Sequence, residues 1–172
     1  MGFDSDPPSI FETTIQFIQE TGIATAMVSL RNAPRNTRLY RRLEKEGRLL
    51  KSFTGDNTDC SINFVPKMDL EALLEGYRKV LRTIYSPREY CDRVIRFLRD
   101  FKPAQMGGLQ VRWIHIRALA KSVGLLGLLG TERLQYWKLF LWSLIHRPRL
   151  FPLAITLSVY GFHFRKVFEH MV

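Results

Sequence analysis

The side chains able to do chemistry in this chain are few and scattered. Cys60 and Cys91 stand 31 positions apart, too far for a local thiolate cluster. With no secretory signal pattern ahead of them, both read as free thiols in a reducing compartment, the cytoplasm by default. His115, His146, His163 and His170 include no pair at four-residue spacing around a Glu, the arrangement that turns two imidazoles toward one zinc. Each reads as a surface or packing residue. Gly124, Gly127 and Gly130 recur within an apolar stretch, which suits close helix contact better than a phosphate loop, and there is no serine elbow. Asp56 and Asp59 read either as ligands or as Asx turns, and the lack of calcium-loop spacing leaves the turn reading ahead. What remains is a pair of segments, Gly2 to Asp6 and Leu30 to Pro34, whose side chains matter because of where a fold would put them.

The elements that place them come from residues 1–50. Pro7-Pro8 blocks helix upstream, Ser9 with Glu12 forms a capping box, and Phe11, Ile15 and Ile18 repeat at helical spacing until Gly22. Ala24 to Leu30 follows as a short, mostly apolar strand of the kind buried on both faces of a parallel sheet. Helix then strand implies a βαβ unit whose other strand precedes Gly2-Phe3, so the chain is expected to begin inside a domain. In such a sheet the loops leaving the carboxyl ends of the strands line the ligand site, which places Gly2 to Asp6 and Leu30 to Pro34 there.

The residues Gly2-Phe3-Asp4-Ser5-Asp6-Pro7-Pro8, Phe17 to Ile23, Ala26-Met27-Val28, Thr37-Arg38-Leu39-Tyr40, Gly47-Arg48-Leu49 and Gly55 to Phe64 carry a resemblance. From Gly2 to about Phe101 the chain resembles the carboxyl-terminal part of cobalamin-binding radical S-adenosylmethionine proteins, in the hopanoid methylase-like subgroup. The resemblance implies a longer enzyme with an amino-terminal cobalamin domain and a partial (β/α)6 barrel whose three closely spaced cysteines hold a 4Fe–4S cluster. Those cysteines are absent here, so the chain alone is expected to hold no cofactor and to be inactive. It also implies that the two loops border S-adenosylmethionine: Leu30 would flank the adenine, Asp4 would accept from hydroxyl or ammonium groups, and Asn32 would stand beside them. Asp4 and Asp6 also read as caps of the turn into the helix, Asp6 the more so. Where the family usually has Gly, this chain has Asn36, the best non-glycine residue for a left-handed turn.

The rest of the chain reads as helix. Thr37 caps a helix to about Glu46 with Leu39, Tyr40 and Leu43 inward, and residues 51–67 form a connecting loop. Residues 68–102 form a helical pair: Asp69 caps the first, with Leu70, Leu73, Leu74, Tyr77, Leu81 and Ile84 on one face, and Ser86-Pro87 opens the second, with Tyr90, Val94, Leu98 and Phe101. The arginines of this pair, interspersed with acids, read as a solvated face. Residues 103–172 are basic and apolar, with 9 basic and 2 acidic side chains in a chain of net charge +10. Three helices are expected there: Gln110 to Leu129, Thr131 to about His146, and Leu150 to Phe164, the last interrupted by Pro152 and Gly161 and too short to span a bilayer.

The fold class that follows is mostly α: a truncated α/β element, the end of a radical S-adenosylmethionine barrel, followed by an all-helical carboxyl-terminal domain. The expected partners are the amino-terminal catalytic and cobalamin-binding parts and an anionic membrane surface, at the inner face of the membrane. Packing of the tail helices on the barrel and on one another as core is the reading put ahead of that membrane contact, and a stand-alone helical interaction or peripheral membrane-binding module is the competing function. Nucleic-acid binding is disfavoured because the tail's charge is diluted in apolar sequence without a recognition motif.

Overall fold

The computed structural model describes residues 1–50, 62–103, 113–128, 130 and 132–169. Its helices are α1 (Ile10–Thr21), α2 (Arg38–Lys45), α3 (Leu70–Ile84), α4 (Pro87–Asp100), α5 (Trp113–Ser122), α6 (Arg133–His146) and α7 (Phe151–Glu169). A π-helical segment, Val123–Leu128, continues α5, and a 3-10 turn, Pro148–Leu150, leads into α7. Thr37 and Asp69 cap α2 and α3, accepting the amide protons of Tyr40 and Ala72 at 3.2 and 2.9 Å. Asn36 sits at φ 68°, in the left-handed turn expected of it. The Ser9–Glu12 capping box does not form: Ser9 makes no side-chain cap bond, and Glu12 instead accepts from Lys79 Nζ of α3 at 2.6 Å.

Residues 24–30 are extended, but no β-ladder forms among the described residues, and one face is solvated. Ala24, Ala26 and Leu30 are buried while Thr25, Met27 and Ser29 are exposed, Met27 by 82%. The expectation of a strand buried on both faces is corrected to one buried face, because the helices pack on one side alone. The carbonyl groups of Ala24, Ala26 and Val28 share one lateral edge, since alternate residues of an extended chain point the same way. Each faces a donor from the helical pair: the Tyr77 hydroxyl to Val28 at 3.1 Å, the Tyr85 hydroxyl to Ala26 at 2.8 Å, and Arg93 to Ala24 at a longer 3.5 Å. That edge is sealed against another strand by side chains. On the other edge the Met1 amino group donates to Ser29 O at 2.9 Å and Arg31 N donates to Met1 O at 2.6 Å. This is one rung of parallel pairing, with Met1 opposite Leu30.

Residues 48–50 pair antiparallel with 63–65 through the Leu49–Phe64 bridge. Asn63, 5% exposed, donates its side-chain amide to Ala33 O and accepts from Ala33 N, both at 2.8 Å, so its side chain stands in for a strand rung. One core runs from Phe11 and Ile18 through Leu43, Phe64, Leu73, Ile84 and Val94 to Leu139, Ala154 and Leu157. The helices of the tail are therefore packed on the first hundred residues through α4. Arg93 is the correction to the solvated-face reading: it is 2% exposed and donates to Ile84 O at 2.7 Å and Gln19 Oε1 at 2.8 Å.

The tail departs from expectation in two places. The continuous helix ending near Leu129 widens into the π-helical segment, where Gly127 backs onto the Tyr136 and Trp137 rings and its carbonyl accepts from Trp137 Nε1 at 3.1 Å. Helix α7 is not interrupted. Pro152 falls in its first turn, where a missing N–H costs nothing, and Gly161 lies flat against Tyr90. Among the described residues no helix is long and apolar enough to cross a membrane.

Candidate functional site

The loops 2–6 and 31–34 meet, as their place after the extended segments requires, at a cleft of about 510 Å³ lined by Gly2, Phe3, Asp4, Arg31, Arg42 and Lys67, among others. The first loop is held by Asp6, whose Oδ2 accepts from the Gly2 and Phe3 amides, each at 2.9 Å. Asp4 then lies between two guanidinium groups. Arg48 spans both its oxygens, at 2.8 and 3.2 Å, and Arg42 meets Oδ2 at 2.7 Å. Glu46 accepts from Arg48 at 2.9 Å, and Arg31 lies over the Phe3 ring at 4.6 Å from its centroid. The hydrogen bond from Arg48 holds the Asp4 carboxyl below its usual range. Its oxygens are engaged within the protein, and the cleft's cationic excess suits an anionic group such as a carboxylate.

Asp4 contributes stability of one sign. Because its folded pKa is depressed, that contribution is full above the unfolded value and is lost as pH falls through the folded one. Asp4→Asn is expected to cost about 1 kcal/mol near neutrality. In urea titrations the gap between wild type and variant should close as pH is lowered from about 5 to 2.

A second cavity, of about 270 Å³, lies in the helical tail between α4, the π-helical segment, α6 and α7. Leu126, Leu139 and Phe162 give it an apolar wall, and the ion pair of Glu132 with Arg165 gives it a charged rim. Burial pushes the Glu132 carboxyl up and the Arg165 guanidinium down. Cys91 also lines it, donating to Gln135 O at 3.4 Å, and burial pushes its thiol up to about 11. In a Cys60→Ser background, Cys91 is expected to react with a disulfide reagent at pH 8 at least about a hundredfold more slowly in the folded chain than in urea, from its thiolate fraction alone.

Residues 37–172 match the family described as a domain of unknown function, DUF4070. The chain belongs to the DUF4070 family. Two curated relatives carry the same stretch. An uncharacterized methyltransferase of Synechocystis sp. is 29% identical over 167 residues, covering 95% of this chain and 31% of that protein. The hopanoid C-2 methylase of Rhodopseudomonas palustris is 26% identical over 160 residues, covering 84% of this chain and 28% of that protein. The DUF4070 chain thus spans about a third of the length of these relatives, in keeping with the resemblance read from residues 2–101. No solved structure matches.

Of the three residues expected to border S-adenosylmethionine, Asp4 lines the cleft of this DUF4070 chain. Leu30 is 5% exposed and sits in the core, and Asn32 Oδ1 accepts from Asn63 N at 3.1 Å, tying two loops. Asp4 is thus held between two arginines, and Leu30 is turned inward. Arg42 and Lys67, which line the cleft, and Arg48, which grips Asp4 beside it, escaped the sequence reading, because no local pattern signals a partner 38 or 44 residues away. Among the described residues no group of three or more His, Cys, Asp or Glu side chains converges as a metal site. Cys60, Asp56, Asp59 and His170 lie outside the described residues.

Proposed function

We propose that this chain is the carboxyl-terminal part of a cobalamin-dependent radical S-adenosylmethionine methyltransferase acting on a lipid-like substrate in the cytoplasm. The observation that carries this reading is the segment Ala24 to Leu30. One of its edges is sealed by Tyr77, Tyr85 and Arg93, and the other makes a parallel rung with Met1. A segment with one edge closed and the other paired in parallel is the last strand of a parallel sheet that the remainder of a longer polypeptide would continue. The two relatives, one named as a methyltransferase and one as a hopanoid methylase, support the reaction and the substrate class.

In that whole protein the cluster, S-adenosylmethionine and cobalamin would supply the radical and the methyl group. The residues of this chain bind and orient. Arg31 and Lys67 would offer positive charge to an anionic group at the sheet's end, Asp4 and Arg48 hold the neighbouring loop 2–6 in place, and the backbone of residues 30–33 would border the nucleoside. The helices from Leu70 onward close the substrate side, with the apolar cavity between α4, α6 and α7 available to a hydrocarbon group. Without three closely spaced cysteines in its 172 residues, the chain alone is inactive in this reading.

The test is genetic and chemical. Disrupting the gene in its source cells and comparing lipid extracts by mass spectrometry should remove one lipid species and accumulate its counterpart lighter by one methylene. An unchanged lipid profile would overturn the substrate assignment.

A further inference from the structure

Helix α6 is apolar around nearly its whole circumference, yet it is packed on one side. Tyr136, Leu139 and Ser143 are its buried residues. At 100° per residue they define one arc, and Leu134, Leu141 and Ile145, related by seven and four residues, define the arc opposite. These three are 78%, 51% and 72% exposed, and Leu144 beside them is 47% exposed. The neighbours of α6 account for its other sides. Helix α4 reaches it through Cys91 to Gln135 and Asp92 to Lys138, the π-helical segment through Gly127 to Trp137, and α7 through the Phe140–Phe151 ring contact. A leucine-isoleucine stripe turned to solvent on a helix that is already anchored marks a docking face.

The charges around the stripe say what docks there. From Arg133 to Arg149 the sequence holds four basic residues, Arg133, Lys138, Arg147 and Arg149, and no acidic one. Arg133 and Arg149 are exposed at the two ends, and Arg117 and Lys121 of α5 add two more exposed cations. The tail's two acidic residues are turned elsewhere, Glu132 to Arg165 and Glu169 to Lys166. Two copies meeting through this face would bring cation against cation. An anionic lipid surface accepts the apolar stripe below its headgroups and pairs with the basic rim at their level. Trp137 and Trp142, both half-buried, flank the stripe as amphipathic rings do at a membrane interface.

We propose that the outward face of α6 seats this chain on an anionic membrane surface, with Leu134, Leu141 and Ile145 in the headgroup–acyl boundary and Arg133 and Arg149 on the phosphates. The attachment is peripheral. It does not rest on the methylation reading, and its failure would leave that reading standing.

Vesicle flotation of the 172-residue chain tests it, with phosphatidylcholine alone and with roughly a third phosphatidylglycerol. The chain should float with the anionic vesicles at least about tenfold more than with the neutral ones, and high salt should release much of it. Leu134→Glu with Ile145→Glu, at positions already in solvent, should keep the helical circular dichroism and melting temperature and lose flotation at least about tenfold. Arg133→Glu with Arg149→Glu should do the same. No flotation with anionic vesicles at low salt, or flotation unchanged in the folded apolar pair of variants, would overturn the proposal. So would a concentration-dependent dimer in solution that the Leu134→Glu, Ile145→Glu chain no longer forms, since it would give the face to a second copy.

Discussion

Arg93→Ala should lower the unfolding free energy by about 3–5 kcal/mol, the largest effect expected of any single substitution in this chain. The side chain is 2% exposed, and among the described residues no carboxylate pairs with it directly. Its charge is compensated at one remove: Gln19 accepts from Arg93 at 2.8 Å and donates to Glu89 Oε2 at 2.7 Å. The guanidinium also lies 5.2 and 5.8 Å from the Tyr90 and Tyr85 ring centroids. Truncation leaves the Ile84 and Ala24 carbonyls without this donor and opens a cavity where α1, the extended segment and α3 meet. Arg93→Met keeps most of the volume and separates the two terms, so it should recover about half of the loss. Arg93→Lys should not rescue fully, because Gln19 and Ile84 accept from Nη1 and Ala24 from Nη2, and a single ammonium lacks the second nitrogen of that fork. Urea unfolding at neutral pH measures all three, and a loss below about 1 kcal/mol for the alanine variant would show that the hub is not one.

Gly161→Ala is expected to destabilise, against what helix propensity alone dictates. Within a helix alanine is favoured over glycine by about 1 kcal/mol. At Gly161, however, a Cβ would stand 2.3 Å from Tyr90 Cε1, so the ring or the helix must shift. Tyr90 is 4% exposed, and its hydroxyl donates to Leu157 O at 2.8 Å, one turn back along the same helix. Admitting the methyl means breaking that bond or parting α7 from α4, so the net loss should be about 1–2 kcal/mol. Gly124→Ala, where nothing lies within 4 Å, is the control and should be neutral or stabilising. A melting temperature that rises for both variants would mean that α7 is not seated on α4 as described.

These two residues also show where sequence reading stops. Local signals were legible: Thr37 and Asp69 as caps, Pro87 at a first helical position, Gly22, Asn36 and Gly47 at positive φ, and the apolar faces of α3 and α4. Each depends on neighbours within a turn or two, which the sequence displays directly. What it does not display is who arrives from elsewhere. Glu12 reads as half of a capping box until Lys79 takes it from 67 residues away. Arg93 looks like its solvated neighbours until Gln19 and Ala24 reach it. Gly161 reads as an interruption because the ring it accommodates lies 71 positions upstream. The site was legible to the same degree. The two loops were located, but the grip of Arg42 and Arg48 on Asp4 and the inward turn of Leu30 depend on contacts that no spacing encodes.

We propose that Ala24 to Leu30 ends a sheet continued by a longer catalytic polypeptide. The most direct measurement is the mass of the native polypeptide in its source cells, by immunoblot with an antibody against residues 67–101. The account predicts a band about three times the calculated 20.1 kDa, the size that a 31% share of the Synechocystis relative implies. A band at 20.1 kDa with nothing heavier would contradict it and would leave a helical module that binds surfaces without catalysis.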